Sequence, residues 1–244
     1  MTGIILAAGQ SKRMGLAHSK VLLPINNRPI LSYIIELAQN AGLTPILVVI
    51  APHHQDIKET FKDYPVKFVI QPQARGTADA VRSCDSLLTP QDDILVLYGD
   101  TPLLRLSTVL HLKELYYKKK PDCVILTTFL DNPYGYGRIL RNSTGEILAI
   151  IEEKDATDEI KRINEINVGV YAFKYGILKP ILERITPNTN TGEYYLTNAV
   201  NELIKNQYKV LSVSAEDPHE CLGINTPADY EFIKKILESQ GKSD

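Results

Sequence analysis

The feature that most constrains the fold is a series of short, uninterrupted apolar runs: GIIL near residue 5, PILVVI at 45–50, VKFVI at 66–70, DILVLY at 93–98 and CVILTTF at 123–129. A strand with one wet face alternates apolar and polar residues. A strand covered by helices on both faces does not, and these runs are of the second kind. Helix-like segments separate them. In ILSYIIELAQNAG, Ile30, Ile34, Leu37 and Ala41 fall on one stripe, with Pro29 at a first-turn position and Gly42 as the stop.

Alternation of strand and helix predicts an α/β fold, a Rossmann-like and mostly parallel sheet with helices on both faces. After about residue 130 the pattern changes. GYGRILRNSTGEILAIIEE reads as two strands around a Ser-Thr-Gly turn, and NVGVYAFKY at 167–175 reads as a further strand. Helical patterns follow at about 176–185, 193–206 and 227–239. The expectation is a single domain over 1–240: one part to about 130, a small hairpin-containing lobe with return strands over 131–225, and a C-terminal helix over 226–240.

The chain has 244 residues and a formal net charge of −2 with the two signs interspersed, so no field of one sign exists to hold nucleic acid or an anionic membrane. Any phosphate must be bound locally. Cys84, Cys123 and Cys221 are far apart and form no CxxC pair, which fits reduced thiols better than a disulfide framework or a zinc site. No apolar run approaches the roughly 20 residues of a membrane span, and a cytoplasmic protein is expected.

The first apolar run leads directly into Leu6-Ala7-Ala8-Gly9-Gln10-Ser11-Lys12-Arg13-Met14-Gly15. Small residues there let backbone N–H groups close on an anion, and two bases add charge. The loop is neither a Walker A sequence nor a GxGxxG fingerprint. Lys20, in SKVLLP, adds a cation within reach. LAAG, then RMG, then Lys20 seven residues after Arg13, resembles the signature of sugar-nucleotide pyrophosphorylases.

QPQARGTADA, LYGDTPL, GYGRI leading to IIEEKDA, EINVGVY, GEYYLTN and GINTPADY extend the resemblance over essentially all 244 residues. Together they resemble the uridylyltransferase half of the bacterial bifunctional N-acetylglucosamine-1-phosphate uridylyltransferase and glucosamine-1-phosphate acetyltransferase. The resemblance implies that Leu6, Ala7, Ala8, Gly9, Gln71, Gly76 and Thr77 hold the uracil nucleotide. It implies that Tyr98, Gly99, Gly137, Glu152 and Asn167 meet the sugar, with Glu153 an alternative to Glu152 because the NSTGE turn is one residue longer than the family's. Asp100 and Asn225 would ligate a catalytic Mg2+, a coordination by oxygen that this ion favours. From local sequence alone Asp100 reads equally as a helix N-cap, and Asn225 as a turn residue or cap.

The family's glycine, threonine and proline are replaced here by Ser11, Lys12 and Ser19, and no acetyltransferase β-helix repeats are present in the 244 residues. The implied reaction joins UTP to a sugar-1-phosphate, N-acetylglucosamine-1-phosphate by preference, with release of pyrophosphate and with Arg13 and Lys20 stabilising the moving charge. No nucleophilic side chain is required, and His53 and His54 read as surface residues. UTP and the sugar phosphate are the expected partners, with neither nucleic acid nor membrane. A cytidylyltransferase or molybdenum-cofactor nucleotidyltransferase shares LAAGxSxRMG but not GTADA, GYGRI or GEYYLTN. A non-catalytic nucleotide-sugar sensor is the reading from another class.

Overall fold

The computed structural model describes residues 1–9, 14–15 and 19–240. Its strands are β1 (Thr2–Leu6), β2 (Pro24–Ile25), β3 (Arg28–Pro29), β4 (Ile46–Ile50), β5 (Lys67–Ile70), β6 (Asp93–Tyr98), β7 (Cys123–Phe129), β8 (Gly137–Arg141), β9 (Ile147–Ile151), β10 (Glu165–Lys174) and β11 (Val210–Ser214). The helices are α1 (Ile30–Asn40), α2 (Gln55–Thr60), α3 (Thr77–Arg82), α4 (Leu106–Lys119), α5 (Asp158–Lys161), α6 (Tyr175–Arg184), α7 (Leu196–Lys205) and α8 (Pro227–Gln240). One sheet runs in the order β11-β7-β10-β6-β1-β4-β5, and the β8–β9 hairpin joins it through β10. Only β10 runs antiparallel to its spine neighbours β6 and β7. No described helix is long and apolar enough to cross a membrane.

Continuous apolar strands have two faces to bury, and both are buried here. Ile5, Val48, Leu95 and Val124 enter one core with α1 and α4, whereas Ile4, Leu47, Val96 and Ile125 enter a second with α3, α6 and α7. Each such side chain taken out of water contributes about 1.5–3 kcal/mol before entropy is counted. The stripe Ile30, Ile34, Leu37 and Ala41 is buried as its spacing requires, and Gly42 ends it in the left-handed region at φ +67°. Pro29 itself closes β3 one residue ahead of the helix, in extended geometry, rather than occupying the first turn.

Two boundaries differ from the sequence reading for physical reasons. The helix expected from 193 begins at Leu196, because the preceding residues are committed to the loop at 76–78: Tyr194 N–H donates to Arg75 and Ala78 N–H donates to the Tyr194 carbonyl. Strand β11 has no counterpart in that reading, since VLSVS at the sheet edge is only partly buried and carries no continuous apolar run.

A third, smaller core lies under the C-terminal helix. Ile233 and Leu237 of α8 pack with Ile25, Ile30, Leu103 and Ile224, and Tyr230 Oη donates to the Pro24 carbonyl at 2.6 Å. The helix is thereby held over the β2–β3 ribbon.

Strand β10 breaks its register with β7 between Asn167 and Tyr171. Gly169 sits in this irregularity at φ +91°, and a Cβ there would lie 2.0 Å from Cε2 of Tyr98. The ring of Tyr98 therefore occupies the space a side chain would need. Gly169→Ala is expected to destabilise the fold by about 2–4 kcal/mol, combining left-handed strain with overpacking, as read by urea unfolding.

Candidate active site

Parallel α/β sheets bind ligands beyond the carboxyl ends of their strands. Here the ends of β1, β5 and β6 open on a cleft of about 500 Å3 whose walls include Leu6 to Gly9, Ser19 to Val21, Gln71, Gly76, Thr77, Tyr98, Asp100 and Asn225. Gly99 N–H donates to the Leu6 carbonyl at 3.0 Å, tying β6 to β1 just where the loops diverge. A Cβ on Gly99 would crowd Leu31, Leu6 and Ala7 at 3.2–3.4 Å, so its lack of a side chain permits this approach.

At one end of the cleft stands a cluster of charge. Lys20 Nζ lies 2.5 Å from Asp100 Oδ2, donates to the Ile224 carbonyl at 2.6 Å and to Asn225 Oδ1 at 3.2 Å. Asp100 caps no helix: the next one begins at Leu106, and the Asp100 carbonyl accepts from Ile224 N–H at 2.9 Å. Nor does Asn225 cap α8. Thr226 and Asp229 form a reciprocal capping box, with Thr226 N–H donating to Asp229 Oδ2 and Asp229 N–H to Thr226 Oγ1, which leaves the Asn225 amide on the cleft.

Gln71 lies at the other end, buried, directly after β5. Its amide nitrogen donates to the Gly76 carbonyl at 3.1 Å and to Asp79 Oδ2 at 3.0 Å. Burial alone would raise the Asp79 pKa, but the hydrogen bonds from Gln71 and Arg82 and the charge of Arg75 hold it below its ordinary value. An ionised Asp79 fixes which way round the amide sits. Both Gln71 N–H bonds are used internally, so only its carbonyl oxygen is left for a ligand. A glutamine amide has a donor and an acceptor to offer; here Asp79 takes the donor.

Thr77 is also engaged, accepting from Leu196 N–H at 2.9 Å. Gly76, at φ +104°, is where the backbone of Tyr194 approaches so closely that a Cβ would lie 2.5 Å from its carbonyl oxygen. Among the described residues, Ala8 and Gly9 N–H donate to no protein group and border the cleft.

Beyond Tyr98 lie Gly137, Glu152 and Asn167. A Cβ on Gly137 would stand 3.6 Å from Glu152 Oε2 and 3.7 Å from Asn167 Cβ, which brings the three together. Glu153 points elsewhere, paired at 2.7 Å with Arg138, which is 2% exposed. Asn167 Nδ2 donates to Tyr171 Oη at 2.6 Å, and its Oδ1 accepts from Gly169 N–H at 3.3 Å. Burial pushes the Glu152 pKa up, Asp155 and Glu193 push it further, and a 2.6 Å hydrogen bond from Thr197 Oγ1 offsets part of the shift. Burial likewise pushes the Tyr98 phenol up, with the charges of Glu152 and Asp100 adding to it.

Residues 3–163 match the model of the MobA-like NTP transferase domain. The chain belongs to this family. It is 38% identical over 247 residues to the bifunctional protein GlmU of Aquifex aeolicus, covering 98% of this chain and 53% of that protein. To the bifunctional protein GlmU of Caldicellulosiruptor saccharolyticus it is 39% identical over 230 residues, covering 92% of this chain and 49% of the relative. The chain thus spans about half the length of the curated relatives it matches. A crystal structure from Bacillus anthracis, described as a glucose-1-phosphate thymidylyltransferase in complex with sucrose, superposes with a TM-score of 0.78 at 20% identity, covering 97% of this chain and 94% of the other. That likeness shows the Rossmann-like α/β fold.

Of the residues expected at the NTP transferase site, Arg13 lies outside the described residues, as do Ser11 and Lys12. His54 is not on the surface. It is 4% exposed, and its pKa is lowered chiefly by burial. Sequence reasoning does not reach Thr197 or Asn201. Asn201 bonds both Ile150 N–H and C=O through its amide, at 2.8 and 2.9 Å, sealing the free edge of β9 one residue before Ile151 leads to Glu152. GEYYLTN marks the region without showing that its threonine steers a carboxylate.

Because the folded pKa of Glu152 is raised, the protein loses stability as pH rises from the ordinary carboxyl value of 4.5 to that raised value, and then loses no more. Glu152→Gln keeps an acceptor for Thr197 and has nothing to ionise. Its melting temperature is expected to match the parent's at acid pH and to exceed it increasingly through this window, as read by thermal unfolding at a series of pH values.

Proposed function

We propose that the chain transfers a uridylyl group from UTP to a sugar-1-phosphate, N-acetylglucosamine-1-phosphate by preference, releasing pyrophosphate. The observation that carries this reading is the joining, in one cleft, of an outward-facing Gln71 carbonyl with the Lys20, Asp100 and Asn225 cluster. The first reads a base; the second handles phosphates.

Gln71 Oε1 is an acceptor held in place by Asp79, and uracil presents an N–H at position 3 where cytosine presents a lone pair. Uracil is therefore favoured, and cytosine meets two opposed acceptors. The N–H groups of Ala8 and Gly9 are suited to the base carbonyls. Glu152, Asn167 and Gly137 suit a sugar carrying hydroxyl and acetamido groups, which both donate and accept.

A sugar-phosphate oxygen attacks the α-phosphorus of UTP in line. One P–O bond forms as the bond to the β-phosphate oxygen breaks, and pyrophosphate leaves with the electrons. Chemistry of this kind rests on positioning and charge neutralisation rather than on a protein nucleophile. Lys20 and Arg13 stabilise the departing charge.

The donor set fits a hard cation: Asp100 and Asn225 aim oxygens at one point, and the Lys20 ammonium already rests on both. Asp100 and Asn225 would hold Mg2+, which supplies neutralisation of the phosphate charge when bound. Lys20, beside both oxygens, would meet the phosphates held there.

Pyrophosphate release from UTP, CTP and dTTP with a panel of sugar-1-phosphates tests the reading. UTP should exceed CTP by at least about tenfold in kcat/KM, one hydrogen bond exchanged for a repulsion. N-acetylglucosamine-1-phosphate should exceed glucose-1-phosphate. Thymine shares the hydrogen-bonding edge of uracil, so dTTP reports on the 2′-hydroxyl and the 5-methyl group together. Release with none of the sugar phosphates, despite nucleotide binding, would leave the chain a sensor.

Asp100→Asn removes the one formal negative charge of the cluster. Turnover should fall by about two orders of magnitude or more, with the circular dichroism spectrum and urea midpoint little changed. Activity near the parent's with unaltered magnesium dependence would remove Asp100 from the metal site.

A further inference from the structure

We propose that Ser19 is a substrate-binding residue whose hydroxyl donates a hydrogen bond to the phosphate chain of the nucleoside triphosphate. The proposal rests on the nucleotidyl-transfer reading of the cleft and adds a residue to it.

Ser19 is 1% exposed, and its Oγ is out of water with no hydrogen-bond partner among the described residues. It forms part of the cleft wall between Gly9 and Lys20. A buried hydroxyl is ordinarily paired, and leaving one dry and unmatched costs free energy. The backbone does not supply the missing partner. Ser19 stands at the N-cap of the short 3-10 turn Lys20–Leu22, with φ −67° and ψ 133°, yet its side chain makes no capping bond. Its carbonyl accepts from Leu22 N–H at 3.1 Å, so the main chain is engaged while the hydroxyl is not.

Position decides what the hydroxyl is for. The adjacent residue is Lys20, whose ammonium reaches Asp100 at 2.5 Å and Asn225 at 3.2 Å, so Ser19 adjoins the charged cluster of the cleft. A phosphate entering there brings negative charge to the lysine. A phosphoryl oxygen is an acceptor, a hydroxyl is a donor, and hydrogen bonds to a charged acceptor are about twice as strong as neutral ones. The phosphate chain both meets the lysine and ends the isolation of the serine. Ser19 then works beside Lys20, adding direction to a point charge that has none.

Ser19→Ala removes the hydroxyl and little else. Isothermal titration of parent and variant with UTP, inorganic pyrophosphate and UMP, magnesium present throughout, tests the proposal. The variant should bind UTP and pyrophosphate about five- to tenfold more weakly, bind UMP with unchanged affinity, and melt no lower than the parent. Unchanged UTP and pyrophosphate affinities together with a raised melting temperature would show the hydroxyl to be an unpaired buried group and overturn the proposal. Equal weakening of UTP and UMP would move Ser19 to the nucleoside end and overturn it too. A parent protein that binds neither UTP nor pyrophosphate would instead bring down the nucleotidyl-transfer reading itself, an outcome visible before any variant is compared.

Discussion

Everything at the charged end of the cleft depends on the peptide at Ile224. Its N–H donates to the Asp100 carbonyl at the end of β6, and its C=O accepts from the Lys20 ammonium. The two elements so joined are separated by some eighty residues along the chain from one another and by over a hundred from Ile224, and the pair, with side chains only 14% and 16% exposed, loses hydration that its mutual attraction offsets only with such further hydrogen bonds. What holds the peptide there is apolar. Ile224 itself, with Ile233 and Leu237 of α8, fills the small core against Ile25, Ile30 and Leu103. Hydrophobic burial supplies the energy, and the hydrogen bonds supply the register.

The opposite end is organised by the reverse strategy, in which polar groups are satisfied early so that a single one is left over. Asp79 gathers Gln71, Arg75 and Arg82, and with the Gly76 carbonyl it uses up both donors of the glutamine amide. Thr77 is engaged by Leu196, and Gly76 by the close passage of Tyr194. Specificity for a base then comes from what has been withheld. A free amide would accept either edge of a pyrimidine by turning over; an amide held by an ionised carboxylate does not turn.

How far the sequence alone discloses these arrangements varies with the kind of signal. The spine of the sheet is legible because strands buried on both faces must be apolar throughout, as in PILVVI and DILVLY. Strand β11 is not, because an edge strand with half-buried serines has no such obligation. Residues whose type is demanded by chemistry are legible as candidates: Lys20, Asp100 and Asn225 do meet. Partners that merely aim another group are silent. Nothing in the spacing of Thr197 or Asn201 says that one restrains Glu152 and the other closes the edge of β9, since those contacts span 45 and 51 residues. Asp79 is equally silent, because the charge on a helix residue reads as solvated surface until the fold turns it inward. The choice between Glu152 and Glu153 needs Arg138, whose burial gives one of the two carboxylates a structural task.

Glycine also sets the position of a ring in the cleft wall. Tyr98 lines the cleft with Lys20 and Asp100, and its ring fills the space above Gly169, where strand β10 loses register. With a side chain at 169 the ring would have to move. The glycine and the tyrosine are therefore a single device: Asn167, paired with Thr127 and Gly137 just before the break, directs its amide to Tyr171, and the irregularity that follows leaves the room the ring occupies. The phenol, its pKa raised by burial and by the charges of Glu152 and Asp100, stays un-ionised at physiological pH. With a net charge of only −2 spread over the chain, attraction of phosphate cannot come from the protein as a whole. It comes locally, from Lys20, which the Ile224 carbonyl, Asp100 and Asn225 hold in the wall of the cleft.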